Sequence, residues 1–182
     1  FHMSKTEVDT FELDNCCEVS NDCVVNVKME EIKNIEDKKE FYLAYKDLVE
    51  TYSDLMDMPE TIYDCFTDTE LELLFKVVQA EIGDEYSFDQ KVNVASVIFN
   101  RLKHNRFPDS LVEILVADQF STISNGRYQK VKVSSETILA CEYAFSIGDT
   151  TNGCLFFDSN SKLKYAFVFT DGAHNFYTLS EE

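Results

Sequence analysis

The sequence predicts an α+β fold in which helices come first and a small antiparallel sheet comes last. Between residues 38 and 148, apolar side chains recur at helical spacing, and residue pairs typical of helix starts precede several of these segments. From Cys154 onward the pattern changes to short aromatic and β-branched runs separated by turn sequences. The chain has 182 residues, 45% of them hydrophobic, which is enough for one domain with a core of its own.

An acidic arm is predicted at residues 1–66, in front of a domain that spans residues 67–182. The net charge is −18, and residues 1–69 alone hold 6 basic and 18 acidic residues. Residues 1–37 mix charges, asparagine and cysteine without a sustained period, which is typical of an irregular segment with short strands such as 23–27.

Residues 38–57 are expected to form an amphipathic helix within this arm. Phe41, Leu48 and Tyr52 recur near helical spacing, and charged residues fall mostly between them. Pro59 is expected to end the helix, because proline cannot donate the backbone hydrogen bond that a helix interior needs.

The organising element of the domain is a short helix at residues 67–85 that carries a carboxylate on its apolar side. Thr67 and Glu70 have the spacing of a capping box, which places the helix start. The apolar residues on one face are Leu71, Leu74 and Val78. Three residues further along the same stripe lies Glu81, and Gly83 is expected to close the helix just behind it.

The position of Glu81 suggests a general acid. Burial and the negative end of the helix both favour a protonated carboxyl group. A carboxylic acid that keeps its proton near neutral pH can protonate the oxygen of a glycosidic bond. In the alternative interpretation, Glu81 marks the fraying end of a core helix and turns out to solvent.

Three further helices and three strands are predicted. A second capping box at residues 87–90 opens a helix that continues to Leu102 and is apolar nearly all round, as expected of a buried central helix. A capping box starting at Ser110 opens a short helix, and residues 134–146 form another. The runs expected to form strands are 154–157, 164–170 and 175–179.

The composition excludes several classes of partner and cofactor. A net charge of −18 repels nucleic-acid backbones and anionic lipid surfaces. No stretch is long enough to cross a membrane, and the first residues do not resemble a signal peptide; Phe1-His2-Met3 resembles an expression-vector remnant. The six cysteines and three histidines lack the spacing of a zinc site, so no metal or other cofactor is expected.

The cysteines fall into two groups. Cys16, Cys17 and Cys23 are close enough in sequence for a local disulfide in an exported protein. Cys141 and Cys154 lie in apolar runs and are expected to be small core residues.

An ordered series of motifs from residue 70 to about 178 resembles the catalytic domain of SleB-type cell-wall hydrolases, bacterial enzymes that cut peptidoglycan. The matching pieces are Leu74-x-x-Val77-Val78-x-Ala80-Glu81, Gly83-Asp84, Gln90, Ala95-x-Val97-Ile98-x-Asn100-Arg101, Arg106-Phe107-Pro108, Gln119-Phe120-Ser121, Asn125-Gly126, Gly153-x-Leu155-x-Phe157 and His174-x-Phe176-Tyr177. Each piece is weakly specific alone, but their common order is specific. The resemblance leaves the arm uncovered, so the arm is expected to be dispensable for chemistry.

The resemblance implies a lysozyme-like fold and cleavage of the β-1,4 bond between N-acetylmuramic acid and N-acetylglucosamine. The family's catalytic glutamate corresponds to Glu81. Members are similar to lytic transglycosylases, in which one glutamate first protonates the leaving oxygen and then acts as base on the 6-hydroxyl of the muramic acid. This route gives a 1,6-anhydro end and needs no second carboxylate, because the nucleophile belongs to the substrate.

The resemblance also suggests which side chains surround the sugars. The polar candidates are Gln119, Ser121, His174 and Tyr177, and the candidate stacking surfaces are Phe120 and Phe157. In the alternative, His174 hydrogen-bonds the last strand to the Glu81 helix and the phenylalanines are core residues. The sequence departs from the family pattern at residues 157–159 and 171–174, which carry several of these candidates.

A second carboxylate would allow hydrolysis by water in place of transglycosylation. The candidates are Asp84, Glu85, Asp118 and Asp158, although none shares the stripe of Glu81 and each also fits an exposed loop carboxylate.

Three functions are therefore open: a lytic transglycosylase or its muramidase variant, a catalytically weak wall-binding or assembly module, and a wall-piercing part of a phage particle or secretion machine. The presence of Glu81 favours the enzyme, and the acidic arm is the feature that offers a surface to a protein partner. The expected partner in each case is the peptidoglycan glycan strand. The resemblance places the action outside the cytoplasm, in the cell wall, a spore cortex or a phage particle.

Overall fold

Eight α-helices, two 3₁₀ turns and three strands make up the part of the chain that the computed structural model describes, residues 21–116 and 120–179. The helices and turns are α1 (Asn21–Ile32), α2 (Lys38–Thr51), a 3₁₀ turn (Ser53–Leu55), α3 (Ile62–Cys65), α4 (Asp68–Glu81), α5 (Phe88–Lys103), α6 (Leu111–Val116), α7 (Ser121–Ser124), a 3₁₀ turn (Arg127–Gln129) and α8 (Ser135–Ser146). The strands are β1 (Phe156–Asp158), β2 (Ala166–Thr170) and β3 (Asn175–Thr178). Helices first and a small sheet last confirm the predicted α+β fold class. No helix of these residues is long and apolar enough to cross a membrane.

Helix α1 shows that the expected strand at residues 23–27 is wrong. The three valines of this segment favour a strand by propensity. The helix nevertheless packs on α2 with Val25 buried, and Lys28 pairs with Glu31 one turn away (2.9 Å). Packing and local ion pairs therefore override the weak intrinsic preference for a strand.

The cysteine expectations have different outcomes. Cys141 and Cys154 are buried free thiols, as expected of small core residues. Cys16 and Cys17 lie outside the described residues, so the local disulfide stays a prediction.

Helix α2 ends earlier than Pro59, which corrects the expected helix end. Asp37 caps its start by accepting a hydrogen bond from the backbone N–H of Glu40 (2.8 Å). The last helical residue is Thr51, and the chain continues into the 3₁₀ turn at Ser53–Leu55. Serine and aspartate favour such local turns, so the helix stops before the proline is reached.

Helix α4 starts at the predicted capping box, but Gly83 does not end it. The backbone N–H of Thr67 donates to Glu70 Oε2 (2.9 Å), and that of Glu70 donates to Thr67 Oγ1 (3.3 Å), which completes the capping box. The helix ends at Glu81 because Ile82 turns extended and is fully buried. Gly83 does not adopt the left-handed conformation, so the expectation that it closes the helix is wrong.

Helix α5 is the buried centre of the fold, as predicted. Its capping box at Ser87 is formed, and the residues from Lys91 to Phe99 are all buried. It packs along α8 and also contacts α2, α4, α6 and β1. Every element that carries a candidate site residue is therefore held directly or through one neighbour by α5.

The sheet has the strand order β1-β3-β2 and is antiparallel throughout. In its register Phe156 faces Tyr177 and Phe157 faces Phe176. Phe176 is fully buried and packs with Val97 of α5. Because side chains alternate along a strand, Tyr177 points to the opposite face of the sheet from Phe176.

The predicted arm contributes to the core of the domain. Tyr42 and Ile62 are buried in the main hydrophobic cluster, together with residues of α4, α5 and α8. In addition, Lys46 Nζ and Tyr63 Oη each donate to the buried carboxylate of Glu142 on α8 (both 2.6 Å). The described residues of the arm thus supply both apolar packing and polar partners.

Removal of residues 1–66 is therefore expected to destabilise the domain. A chain that starts at residue 36 loses the packing of α1 on α2 but keeps α2 and α3, so its melting temperature should fall by only a few degrees. A chain that starts at residue 67 leaves Glu142 without its partners and opens the core, so its melting temperature should fall by about 10 °C or more. Thermal melts of the three proteins test this, and equal melting temperatures would contradict it.

Candidate active site

Glu81, the predicted acid, is the last residue of α4, and its side chain is half-buried. The hydroxyl of Thr122 on α7 donates a 2.6 Å hydrogen bond to Glu81 Oε1. Thr122 itself is 0% exposed. No described residue donates to Oε2, so one carboxyl oxygen is fixed and the other is left for a further contact.

The segment that holds Thr122 is tied to the end of α4. Gly126 adopts a left-handed conformation (φ 72°), and the turn continues with the Arg127 backbone N–H donating to Asn125 Oδ1 (2.9 Å). The guanidinium of Arg127 donates to the carbonyl oxygen of Ala80. A cation at the C-terminal carbonyls of a helix is favourable, so this contact fixes the turn beside the carboxylate.

A second set of hydrogen bonds anchors the end of α4 to α8. The buried amide oxygen of Gln79 accepts hydrogen bonds from the backbone N–H of Ser134 (2.9 Å) and the hydroxyl of Thr137 (2.7 Å). Its amide nitrogen donates to Asp84 Oδ1 (3.1 Å), which also accepts from the buried Lys91 (3.2 Å). The position of the last turn of α4 is thus fixed from two sides.

Arg101 of α5 is a buried cation near this site. Its side chain is 3% exposed, and its guanidinium lies over three phenylalanine rings at 5.0–5.4 Å. Burial lowers the pKa of Arg101 to about 10, although the charges of Tyr165 and Glu81 oppose this shift. Arg101 is therefore still protonated at neutral pH.

His174, just before β3, is also buried. Its ring meets the edge of Phe157 at 4.9 Å, and its Nδ1 atom is buried without a partner among the described residues. Burial lowers the pKa of His174, and the negative charges of Asp171, Glu81 and Asp158 oppose that shift without reversing it. Within the described part of the chain, the imidazole makes no hydrogen bond to α4. The alternative role for His174, a hydrogen bond that holds the last strand to that helix, is therefore wrong.

Acidification should destabilise the protein through His174. The unfolded chain takes up the proton at the ordinary pKa of 6.5, whereas the folded chain does so only at lower pH. Between these values the unfolded state binds more protons, so stability falls as pH drops below about 6.5. Melting temperatures at pH 7.5 and 5.5 should fall further for the native protein than for His174→Gln. An equal fall would mean that His174 is not buried in its neutral form.

The two candidate stacking residues differ in exposure. Phe120 is 1% exposed and packs against Phe157 (centroids 6.1 Å apart) and under Arg101. It is therefore a core residue, as in the alternative to a stacking surface. Phe157 is half-buried between Phe120, Phe176 and His174. Of the two rings, Phe157 is the more exposed.

Tyr177 is turned away from this cluster. Its hydroxyl donates to Asp158 Oδ1 (2.9 Å), and its ring packs with Leu155 and Phe156 on the opposite face of the sheet. Burial and the hydrogen bond to Asp158 raise the pKa of Tyr177. Tyr177 therefore supports the loop after β1 and is not brought together with Glu81.

The remaining polar candidates lie in or beside α7. Ser121 is exposed at the start of α7, one residue from Thr122. Gln119 and the carboxylate candidate Asp118 lie outside the described residues. The sequence analysis did not identify Thr122 as a site residue. The feature that could have indicated it is its position directly after the Gln119-Phe120-Ser121 motif.

The other carboxylate candidates have structural partners or are exposed. Burial would raise the pKa of Asp158, but its hydrogen bonds from Tyr177 and the backbone of residues 161–163 outweigh this, so its pKa is lowered. Hydrogen bonds from Ser134, Gln79 and Lys91 lower the pKa of Asp84. Glu85 is exposed, and its side chain folds back over Gly83.

No group of three or more histidine, cysteine, aspartate or glutamate side chains in residues 21–116 and 120–179 is arranged to hold a metal ion.

Comparison with known sequences gives one family. A family model described as cell wall hydrolase matches residues 85–178, just over half of the chain. The match begins four residues after Glu81, so it does not include the predicted acid. No curated protein matches the sequence significantly.

Comparison with solved structures gives two similar catalytic domains. That of the germination-specific lytic transglycosylase SleB from Bacillus anthracis is 17% identical, with a TM-score of 0.57, over 64% of this chain and 100% of the other. That of the Bacillus cereus SleB protein is 18% identical, with a TM-score of 0.55, over 62% of this chain and 92% of the other. At these identities the likeness establishes a shared fold, which is the fold that the sequence motifs implied.

Proposed function

This chain belongs to the cell wall hydrolase family, and on that basis we propose that it is a lytic transglycosylase that cleaves the β-1,4 bond between N-acetylmuramic acid and N-acetylglucosamine. Membership makes the protein a cell wall hydrolase and supports peptidoglycan as its substrate and an extracytoplasmic site of action. The proposal adds the bond, the product and the residue that acts. The two Bacillus domains of the same fold support it, since one of them is described as a lytic transglycosylase.

The observation that carries the proposal is the hydrogen bond from the Thr122 hydroxyl to Glu81 Oε1 (2.6 Å). A hydroxyl donor on one oxygen fixes the orientation of the carboxyl group and directs the other oxygen away from α7. General acid catalysis needs such a fixed proton donor within hydrogen-bond reach of the leaving oxygen. Glu81 then protonates the glycosidic oxygen through Oε2.

The structural engagement of two candidate second carboxylates supports transglycosylation over hydrolysis. Asp158 accepts hydrogen bonds from Tyr177 and the backbone N–H of Lys162, and Asp84 accepts hydrogen bonds from Gln79 and Lys91. After the first step, Glu81 is a carboxylate and accepts the proton of the muramic acid 6-hydroxyl as that oxygen attacks the anomeric carbon. The bond to the leaving sugar breaks and a 1,6-anhydro ring forms, with no net consumption of water.

Glycan contacts are proposed for residues on either side of Glu81. Ser121 is exposed beside Thr122, and Phe157 presents a half-buried ring next to His174. Gln119, adjacent in sequence to this site, completes the proposed set. We also propose that the acidic arm, residues 1–66, binds a protein partner. The same reaction would serve in a spore cortex or in a phage particle.

Mass spectrometry of purified peptidoglycan digested by the protein tests the proposal. The expected products end in 1,6-anhydro-muramic acid and carry no added water. Products with reducing ends would identify an N-acetylmuramidase that uses water. If no fragments form under conditions in which the protein binds the wall, the proposal fails in favour of a binding or assembly module.

A further inference from the structure

The turn between β2 and β3 is held against α5 by hydrogen bonds to Asp171. Asn93 of α5 is 8% exposed, and its Nδ2 donates to Asp171 Oδ2 (2.9 Å). Gln90, which lies on the same helix, donates from Nε2 to the backbone carbonyl oxygen of Asp171 (2.8 Å). Asn93 and Asp171 are 78 residues apart along the chain, so this contact joins the central helix to the sheet.

The partners of Asn93 fix the direction in which its amide group points. An ionised carboxylate only accepts hydrogen bonds, so the amide nitrogen has to face Asp171. The amide oxygen is then left for another donor, and it accepts from the Thr150 hydroxyl (2.7 Å). The contact is partly shielded from water, where two donors or two acceptors set against each other are costly. The pair therefore needs a donor at position 93 and an acceptor at position 171.

The other carboxylate oxygen of Asp171 binds the backbone of His174. Asp171 Oδ1 accepts from the backbone N–H groups of Ala173 (3.0 Å) and His174 (2.9 Å). The backbone N–H of Asp171 donates to the His174 carbonyl oxygen (3.1 Å), which also accepts from the Thr170 hydroxyl (2.9 Å). Both backbone polar groups of His174 are thus bound by residues 170 and 171, so the position of Asp171 sets the position of His174.

The imidazole of His174 extends from this turn towards two phenylalanine rings. It meets Phe157 edge to face, with ring centres 4.9 Å apart, and Phe176 in the same manner at 6.3 Å. Its Nδ1 atom is buried and has no hydrogen-bond partner among the described residues. The placement of the ring therefore depends on the anchored turn and on packing with the phenylalanines.

We propose that Asn93 and Asp171 are positioning residues for His174: their hydrogen bond anchors the β2–β3 turn to α5 and so holds the imidazole beside Phe157, where it contacts the glycan strand. The contact with the glycan rests on the proposed function. The sequence departs from the family pattern at residues 171–174, so the resemblance does not imply this anchor.

Exchange of the two residues tests the pair in the full-length protein. Asp171→Asn sets two amide nitrogens against each other, and Asn93→Asp sets two carboxylates against each other. Each single variant should melt about 4 °C or more below the native protein. The double variant Asn93→Asp/Asp171→Asn again has one donor and one acceptor, so it should melt closer to the native protein than either single variant does. Additive losses in the double variant would overturn the proposal.

The imidazole signals of His174 in NMR spectra of the ¹⁵N-histidine-labelled protein report its position, and their loss in His174→Gln assigns them. They should shift in both single variants and return towards their native positions in the double variant. His104 is the internal control, because its Nδ1 atom accepts from the Arg106 backbone N–H and lies outside this network. Unchanged His174 signals in variants of lowered melting temperature would show that the pair stabilises the fold without positioning His174, which overturns the proposal.

Asn93→Ala is the variant that separates position from charge, and it also replaces Asn93→Asp if that protein fails to fold. It removes the donor to Asp171 and leaves the charge of the protein unchanged. The His174 signals should shift in this variant as well. If they keep their native positions, the amide of Asn93 does not anchor the turn.

Binding of a soluble tetrasaccharide of alternating N-acetylglucosamine and N-acetylmuramic acid tests the contact with the glycan. Calorimetry in the Glu81→Gln background avoids cleavage of the fragment. Asp171→Asn and Asn93→Asp should each weaken binding by about 3- to 10-fold, the contribution of one hydrogen bond, and the double variant should recover it. Equal affinities in all four proteins would overturn the glycan contact of His174. If the melts and signals behave as expected but the native protein neither binds nor cleaves glycan, the anchor is retained and the proposed function fails.

Discussion

Glu81→Gln is expected to reduce peptidoglycan cleavage by at least about 10²- to 10⁴-fold, the range that general acid-base catalysis usually contributes. Glutamine keeps the size of the side chain and can accept the Thr122 hydrogen bond, but it cannot give up a proton as a carboxylic acid does. Helix propensity is also retained, and a negative charge is removed from the negative end of α4. The melting temperature should therefore change little, while binding of glycan fragments persists.

The measurement is a turbidity assay on purified peptidoglycan together with a thermal melt of each protein. Glu72→Gln is a matched control, because it removes a carboxylate from the exposed side of the same helix. Glu85→Gln is a second variant that tests the next carboxylate along the chain. Near-native clearing by Glu81→Gln would place the acid elsewhere, and a large loss in Glu85→Gln would identify it.

Thr122→Val is expected to give the second largest effect, a loss of activity of about 10- to 100-fold. Valine has nearly the shape of threonine but no hydroxyl, so Glu81 Oε1 loses its 2.6 Å donor. Hydrogen bonds to charged groups contribute about 1.5–3 kcal/mol, which corresponds to that range of rates when the bond also sets the orientation of the acid. Valine has no polar side-chain atom, so the change leaves no unsatisfied donor or acceptor at the buried position 122.

Ser124→Ala is the control for this variant, since it removes an exposed hydroxyl from the same short helix. A thermal melt separates misfolding from loss of orientation. If Thr122→Val retains native activity at native stability, the hydroxyl does not orient the acid, and the mechanism rests on Glu81 alone.

Features that depend on neighbouring residues could be predicted from the sequence. The capping boxes at Thr67 and Ser87 form as expected, because their hydrogen bonds join residues three apart and need no distant partner. The buried character of α5 follows from its nearly continuous apolar pattern. The position of Glu81 in the last turn of α4 follows from the same kind of periodicity.

The ends of helices, and segments without a clear hydrophobic period, were predicted less well. The end of α4 depends on Ile82, whose burial in the core draws the chain into an extended conformation before Gly83 is reached. The helix at Asn21–Ile32 depends on packing against α2, which outweighs the strand preference of its valines. In both cases a tertiary contact decides between local conformations of similar energy.

By itself, the sequence determined the α+β order of elements, the helix that carries Glu81, and the family of motifs around it. The tertiary structure alone decided which side chains meet that carboxylate. Thr122 lies 41 residues from Glu81 along the chain, and the hydrogen bond between them exists only because α7 packs against the end of α4. Likewise, Tyr177 belongs to a family motif but is turned to the opposite face of the sheet by the antiparallel register. Periodicity describes one element at a time, whereas an active site is assembled from contacts between elements.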